Sequence, residues 1–268
     1  MTVAALPQYT MDVRRGTAMI DETVALLRAW QPAEPLGQFT SRVLRDDVLG
    51  KATARRAQDV VKQVFAPRFL RPNAQAARHL RAFLLTGGRD SILDLAWLYA
   101  CRADRLLRDT TVSIYWPAAR SGRLLLSADD VMPYLREAEA DGRIAVPWSP
   151  TITYNVARGI IAVWGGFGLL EGRARRGGRR IAPYRLSDRI VIYVAYLLHA
   201  EGSTDAEVIA HEDWAIFGAD SDEVTRRLLR LGNEGWWEAQ SGAGIVRITW
   251  RYAAIDDVVQ ALTAGSSQ

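Results

Sequence analysis

The chain has 268 residues, of which 49% are hydrophobic and 24% are charged, and this composition is typical of a folded globular protein. The single cysteine, Cys101, excludes an intramolecular disulfide and suits a reducing compartment, so we expect a cytoplasmic protein. The net charge of +4 is small but uneven: residues 1–185 carry 28 Lys and Arg against 17 Asp and Glu, whereas residues 186–268 carry 6 against 13. This asymmetry favours a polyanionic partner for the larger part and another role for the smaller part.

Neither a secretory signal nor a membrane span is expected. The N-terminal sequence MTVAALPQYTMDVRRG lacks a basic start followed by an apolar core. The longest apolar runs, IVIYVAYLLHA and GIIAVWGGFGLL, are much shorter than the ~20 residues that span a bilayer. We therefore predict that the protein has no membrane partner.

Three helices are predicted in the N-terminal part. They lie in TAMIDETVALLRAW, in FTSRVLRDDVLG, which ends at Gly50, and in KATARRAQDVVKQVFAPRF, which ends at Pro67. Lys51, Arg55 and Arg56 fall in the first turns of the third helix, opposite its apolar stripe. Helix, glycine turn and helix is the order of a helix-turn-helix, so these three residues are candidate DNA contacts. An ordinary helical hairpin with a charged solvent face fits the same pattern.

The middle of the chain is predicted to contain helices Ala74–Leu85 and Ile92–Arg108, with Pro117 breaking the pattern that follows. Cys101 shares the apolar face of the second helix, which indicates a core residue rather than a nucleophile. A further helix, in SADDVMPYLREAEADG, begins at an N-capping Ser127.

The next helix, in SPTITYNVARGIIAVWGG, is the candidate recognition helix. Ser149 is its N-cap and Pro150 its first residue, while Ile152, Val156, Ile160 and Val163 are expected to face inward. The side chains expected on the exposed face can hydrogen-bond to phosphates or to base edges. They are Thr151, Thr153, Tyr154, Asn155 and Arg158.

The run RARRGGRR lies between the strand-like segments FGLLEG and RRIAPYRL and is predicted to form the tip of a hairpin. Helix, turn, helix and hairpin is the order of a winged helix, in which the hairpin, or wing, touches the DNA backbone. Guanidinium groups pair bidentately with phosphate, so the hairpin arginines are candidate DNA contacts. They are Arg173, Arg175, Arg176, Arg179 and Arg180. A basic surface loop beside an unrelated helix is the alternative.

The C-terminal part repeats this order with an acidic composition. Helices are followed by a capped helix that contains Arg226, Arg227 and Arg230, and by a hairpin around SGAG. A second winged helix fits this pattern, but the charge favours a packing or partner-binding module. Its tryptophans are interpreted as core or interface anchors rather than platforms for bases. They are Trp214, Trp236, Trp237 and Trp250.

No catalytic, metal or cofactor motif is found. His79, His199 and His211 are far apart in the sequence and have no partner at metal-ligand spacing. The run GGFGLLEG follows a helix rather than a strand and lacks a GK[ST] ending, so it does not predict a nucleotide-binding loop. The acidic pairs lie at helix starts and on solvated faces. We expect a protein that is not an enzyme and has no cofactor.

These patterns predict a mainly α fold in three regions. Residues 1–72 form a helical region of helix-turn-helix character, residues 73–185 end in a winged-helix-like module, and residues 186–268 form an acidic helical or winged-helix-like module with a small hairpin.

The sequence resembles the BrxA family of bacterial BREX phage-defence systems. The resemblance runs through GTAMIDETVALLRAW, SRVLRDDVLGKATARRAQDVVKQVFAPRF, LAWLYACRADRLLRD, DVMPYL, SPTITYNVARGIIAVWGGFGLLEG, SDRIVIYVAYLL and VRITWRYAAIDDVVQAL. It implies a mainly helical, cytoplasmic, double-stranded-DNA-binding protein that acts beside the other BREX components, and it implies no defined active site.

The leading hypothesis is a non-enzymatic, double-stranded-DNA-binding component of such a system. An alternative is an adaptor that docks other BREX proteins through the acidic, Trp-rich C-terminal module. RNA binding is a third hypothesis, but a β-platform rich in exposed aromatic residues is not predicted.

Overall fold

The computed structural model describes residues 8–14, 18–175, 177–242 and 245–264; of residues 14, 173–175 and 245 only the backbone is described. The described chain is mainly α-helical, with one three-stranded and one two-stranded antiparallel sheet. The predicted mainly α fold with small hairpins is confirmed.

The chain forms two compact units. The first comprises Met1–Arg81 and Ala96–Pro183, and the second comprises Ala82–Leu95 and Tyr184–Gln268. The division into three regions at 1–72, 73–185 and 186–268 stays a prediction.

The first unit begins with a short 3₁₀ turn, which nine described α-helices follow along the chain. Its described helices are α1 (Ile20–Ala29), α2 (Leu36–Arg45), α3 (Ala54–Asp59), α4 (Gln75–Gly87), α5 (Leu93–Ala103), α6 (Arg105–Thr110), α7 (Trp116–Arg120), α8 (Ala128–Ala140) and α9 (Pro150–Gly166), of which α4 and α5 also contribute residues to the second unit.

The third predicted helix does not end at Pro67. Instead, α3 passes directly into a π-helical segment, Val60–Leu70, that contains this proline. The wider π turn moves the preceding carbonyl away from the proline ring, so the helix continues. Phe65 and Phe69 are buried along it and pack edge to face, with 5.4 Å between ring centroids.

The helix predicted over Ile92–Arg108 is broken at Asp104. The carboxylate of Asp104 accepts a hydrogen bond from the N–H of Leu107 at 3.1 Å and thereby caps α6. A π-helical segment, Thr111–Tyr115, then joins α6 to α7. Pro117 lies in the first turn of α7, where a missing N–H is tolerated, so it does not break the helix.

The predicted basic hairpin belongs to a three-stranded sheet. Strand β1 (Leu125–Leu126) and hairpin strands β2 (Leu170–Arg175) and β3 (Gly178–Ile181) lie in the order β1-β3-β2. The sequence did not predict β1, because two residues are too few to show an alternating pattern. Gly178 has a φ of +114°, and a Cβ there would lie 2.4 Å from the carbonyl oxygen of Leu126, so glycine is required for this close pairing.

The 3₁₀ helix Arg89–Ile92 belongs to the second unit. The described part of this unit also contains five complete α-helices and a hairpin. They are α10 (Asp188–Ala200), α11 (Asp205–Ala210), α12 (Asp213–Ile216), α13 (Ser221–Asn233), β4 (Trp237–Gly242), β5 (Ile245–Trp250) and α14 (Ile255–Ala264). The hairpin is the predicted one, with register from Trp237↔Trp250 to Gly242↔Ile245, although its turn residues 243 and 244 lie outside the described part.

Two of the four tryptophans in the second unit are core residues, as predicted. Trp214 and Trp237 are buried and donate their indole N–H groups to the carbonyl oxygens of Val208 at 2.6 Å and Leu228 at 2.8 Å. Trp236 and Trp250 are only half-buried.

Candidate nucleic-acid interface

Helix α9 is capped and packed as the sequence predicts, with one exception. The Ser149 hydroxyl accepts a hydrogen bond from the N–H of Ile152 at 3.4 Å, and Pro150 is the first helical residue. Val156 and Ile160 are fully buried, whereas Ile152 is half-buried. Ile152 therefore contributes less to the core than its apolar spacing indicates.

Buried hydrogen bonds fix α9 and the strand that follows it. The indole N–H of Trp164 donates to the hydroxyl of Thr111 at 3.0 Å, and the Tyr115 hydroxyl donates to the carbonyl oxygen of Leu169 at 2.9 Å. Burial raises the pKa of Tyr115 to about 12, so this donor keeps its proton at physiological pH. The first bond holds α9, and the second holds the residue before β2, against the π-helical segment that joins α6 to α7.

A polar network holds the linker between α8 and α9. The Tyr9 hydroxyl donates to Asp109 at 2.7 Å and lies 2.8 Å from the Tyr134 hydroxyl. The Arg143 guanidinium donates to Tyr9 at 3.1 Å and to Tyr134 at 2.7 Å, and it pairs with Asp141 at 2.6 Å. Burial, followed by the hydrogen bonds to Tyr134 and Asp109, raises the pKa of Tyr9. The start of the linker into α9 is thus held by a network of five side chains.

The exposed face of α9 is short and polar. Thr151 and Arg158 are exposed, Tyr154 is 46% exposed and Asn155 is half-buried. Arg158 has no hydrogen-bond or ion-pair partner among the described residues. A free guanidinium beside a tyrosine and a threonine can bind phosphate or a base edge.

The prediction that Thr153 lies on this face is wrong. Thr153 is 5% exposed, and its hydroxyl donates to the carbonyl oxygen of Ser149 at 3.1 Å, four residues back. This local bond satisfies the hydroxyl inside the first turn. Thr153 therefore helps to form the start of α9 and has no surface to offer a ligand.

The hairpin arginines have different environments. Arg180 is exposed and lies opposite Glu171, with 3.4 Å between Nε and Oε1. Arg179 instead folds onto α9: a Cβ built on Gly165 would lie 1.8 Å from its Nη1 atom. Because Gly165 has no side chain, the Arg179 guanidinium can lie directly on the helix, and its role as a DNA contact stays a prediction. The side chains of Arg173 and Arg175, and all of Arg176, lie outside the described residues.

A cleft of about 410 Å³ lies between α9, the start of α8 and the hairpin. Its polar lining comes from Ser127 and Asp129 on one side, Tyr154 and Arg158 on α9, and Arg179 on β3. The sequence did not indicate Ser127 or Asp129 as site residues, because helix starts commonly carry Ser and Asp as caps.

The three N-terminal candidate DNA contacts, Lys51, Arg55 and Arg56, are not equally free to bind DNA. Lys51 precedes α3 instead of lying in its first turn, and its ammonium pairs with Glu22 at 2.6 Å. The Thr53 side chain caps α3 by accepting a hydrogen bond from the Arg56 N–H at 3.2 Å. Arg55 and Arg56 are exposed and have no partner among the described residues. Only these two remain available to a polyanion.

The arginines of α13 are largely neutralised. Arg227 pairs with Glu223 at 3.0 Å and with Asp188 at 3.4 Å, and Arg230 pairs with Asp188 and, at 2.6 Å, with Glu234. Phosphate would have to compete with these carboxylates for the guanidinium groups.

The three histidines have structural contacts. His79 is buried, His199 stacks on Trp250 with 4.4 Å between ring centroids, and His211 Nδ1 accepts a hydrogen bond from the Asp213 N–H at 3.2 Å. Among the described residues, no three His, Cys, Asp or Glu side chains lie together as metal ligands would. Cys101 is buried, as predicted.

A family model described as BrxA matches residues 7–196, which is more than half of the chain. No curated protein sequence matches. Within the described ranges, no helix combines the length and the apolar character that crossing a bilayer requires.

Proposed function

The chain belongs to the BrxA family, and from this premise we propose that it is a component of a BREX phage-defence system that binds double-stranded DNA. We also propose that it catalyses no reaction itself. Its contribution to defence would be to hold DNA for other components of the system.

The order of elements in the first unit supports this proposal. The segment α6–α7 is followed by β1, α8, α9 and the β2–β3 hairpin, and the strands lie in the order β1-β3-β2. This is the order of a winged helix, in which α9 would be the recognition helix and the hairpin would be the wing. An α-helix with a polar exposed face fits the major groove of B-DNA.

The observation that carries the proposal is the free guanidinium of Arg158 on the exposed face of α9. It has no described partner and lies among the few polar side chains of a helix whose other side is buried. The free-energy cost of pairing this guanidinium with a phosphate is small, because no described salt bridge has to be broken first. Thr151, Tyr154 and Asn155 would add hydrogen bonds.

The wing would add phosphate contacts through Arg173, Arg175, Arg176 and Arg180. The Arg180–Glu171 pair does not prevent this, since the two side chains are 69% and 51% exposed and such pairs contribute little. The role of Arg179 is revised: it would act from within the cleft. Arg55 and Arg56 would give a second contact surface on α3, whereas Lys51 is held by Glu22.

The proposal is tested by fluorescence anisotropy with labelled duplex DNA, single-stranded DNA and duplex RNA of one sequence, each at two salt concentrations. We expect the duplex DNA to bind most tightly and its affinity to fall steeply with salt, because phosphate contacts release counterions. Equal binding of single strands, or no binding of duplex DNA, would refute it.

The second unit supports an additional candidate function, that of an adaptor for other BREX proteins. Half-buried Trp250 and Tyr252 lie against Tyr196, with 4.9 and 5.8 Å between ring centroids, and half-buried Trp236 lies 6.3 Å from Tyr252. Partly exposed aromatic clusters are typical of protein interfaces. Co-purification of BREX proteins that survives alanine substitution of the hairpin arginines, but not of Trp236 and Tyr252, would support this candidate.

A further inference from the structure

We propose that the cleft between α9, the start of α8 and the β2–β3 hairpin binds a single nucleotide whose base is unpaired. The inference extends the proposed function, since it assigns a ligand to the same surface. It rests on the shape of the cleft and on four polar side chains that line it.

The cleft has the size and the aromatic wall that a nucleotide needs. Its volume of about 410 Å³ lies within the range of small-ligand sites. Tyr154 presents nearly half of its surface, and Ile161 and Ala162 form an apolar floor next to it. A base can stack on the phenol ring, as unpaired bases do on exposed aromatic side chains.

Two arginines supply a phosphate site. Arg158 has no described partner, and Arg179 reaches the cleft from β3, with its guanidinium against Gly165. The Nε atom of Arg179 is buried and makes no hydrogen bond among the described residues. Burying an unpaired charged donor is unfavourable. A phosphate at the mouth would balance both guanidinium charges.

Asp129 gives the cleft a preference among bases. Its side chain is exposed in the first turn of α8 and has no described partner, whereas the neighbouring Ser127 hydroxyl already donates to Asp130 at 3.0 Å. A carboxylate accepts hydrogen bonds from amino groups and repels carbonyl oxygens. Guanine offers adjacent N–H and amino donors on its pairing edge, whereas thymine offers one N–H between two carbonyl groups. Guanine is therefore the expected base.

The nucleotide can come from two sources that share this chemistry. It can be a free nucleoside monophosphate, or it can be an extrahelical nucleotide of a DNA strand bound to α9. In both cases the base lies on Tyr154 and the phosphate lies between Arg158 and Arg179.

The experiment is a calorimetric titration of the full chain with dGMP, dTMP and inorganic phosphate at low salt. We expect dGMP to bind more tightly than dTMP, and inorganic phosphate to bind much more weakly than either. Tyr154→Ala should weaken dGMP binding between about fivefold and a hundredfold, the range of base–aromatic stacking. Arg158→Ala should weaken it by at least about tenfold. Asp129→Asn should reduce the preference for dGMP over dTMP.

Arg226→Ala is the matched control, because Arg226 is an exposed arginine of α13 without a described partner. It should leave dGMP binding unchanged. Direct binding of a duplex with one extrahelical dG, compared with the fully paired duplex, distinguishes the two sources. Tighter binding of the first duplex that Tyr154→Ala abolishes would identify a strand nucleotide, and equal binding of the two duplexes would identify a free one.

The two proposals fail separately. If the fully paired duplex binds but dGMP does not, or if inorganic phosphate binds as tightly as dGMP, the nucleotide site is refuted and DNA binding stands. If dGMP binds as expected but the paired duplex does not, the proposed DNA binding is refuted and the cleft remains a nucleotide site.

Discussion

The two units contain the same succession of elements around helices of different chemistry. In the first, α8 and α9 are followed by the β2–β3 hairpin; in the second, α11, the short α12 and α13 are followed by the β4–β5 hairpin. Each last helix begins with a side-chain cap, from Ser149 in α9 and from Asp220 in α13. By topology alone, both modules could present a helix to DNA.

Helices α9 and α13 differ in the number of their charged side chains and in how these are paired. Helix α9 contains a single side chain of the Arg, Lys, Asp and Glu types, that of Arg158, which has no partner among the described residues. Helix α13 contains five such residues, and Arg227 and Arg230 are bound to carboxylates. The helix with three arginines therefore has no more guanidinium groups without a described partner than the helix with one: they are Arg226 in α13 and Arg158 in α9. Arginine count is a poor guide to DNA binding, and the ion pairs around each arginine are a better one.

Replacing the five hairpin arginines with alanine should have the largest expected effect on duplex binding. Each lost phosphate contact lowers the steepness of the log–log salt dependence of duplex binding by about 0.9, so the loss of five contacts should lower it by up to about 4.5. The loss should be similar for all sequences, because phosphate contacts carry no base information. Salt-dependent anisotropy measures both.

Alanine at Arg226, Arg227 and Arg230 is the matched variant in the second unit. It should leave the slope of duplex binding almost unchanged. An equal fall in both variants would show that the two modules contribute alike.

Removing the carboxylates around α13 should make the second module resemble the first. Asp188→Asn with Glu223→Gln and Glu234→Gln frees Arg227 and Arg230 from their ion pairs. Two new phosphate contacts would steepen the salt slope by up to about 2 and tighten binding at low salt. An unchanged slope in the same anisotropy assay would mean that α13 cannot approach DNA even when its charge is released.

Glycines near the ends of the two helices should differ in their tolerance of a methyl group. A Cβ on Gly166 would lie 2.4 Å from the Cβ of Ala18, whereas one on Gly232 would lie 3.0 Å from the Cβ of Ala239. Gly166→Ala should destabilise the protein by about 1–3 kcal/mol through overpacking. Gly232→Ala should cost less in the same urea-unfolding experiment, and a larger loss at Gly232 would contradict the difference in packing.

Much of this fold follows from the sequence, but several side-chain positions do not. The hairpins and the cap at Ser149 are local, so spacing and turn residues predict them. The ion pair of Lys51 with Glu22, 29 residues earlier, and the position of Arg179 on Gly165 arise from tertiary packing. Local sequence patterns predict which side of a helix or strand carries a charged side chain. They do not predict which distant residue that side chain contacts.

The smallest effect expected is an opposite pH response of two carboxyl groups, one in each unit. Two hydrogen bonds from Arg42, at 2.9 and 2.5 Å, lower the pKa of Glu34 in the first unit, whereas burial raises the pKa of Asp94 in the second. Glu34 therefore stabilises the fold above its unfolded pKa, and this contribution is lost as pH falls through its folded pKa. The penalty for ionised Asp94 is relieved as pH falls through its raised pKa.

Urea unfolding between neutral pH and about pH 4 measures this difference. Relative to Glu34→Gln, the unsubstituted protein should lose stability as the pH falls; relative to Asp94→Asn, it should gain stability. Changes of the same sign for both variants would contradict these assignments.

The central claim, that α9 rather than α13 faces DNA, is tested most directly by site-specific photocrosslinking. Tyr154 and Arg226 are exposed residues on the corresponding helices, and each is replaced in turn by p-benzoyl-L-phenylalanine. After irradiation with labelled duplex DNA at low salt, we predict a crosslink from position 154 and none from position 226. Duplex binding with a crosslink from position 226 but none from position 154 would contradict the claim.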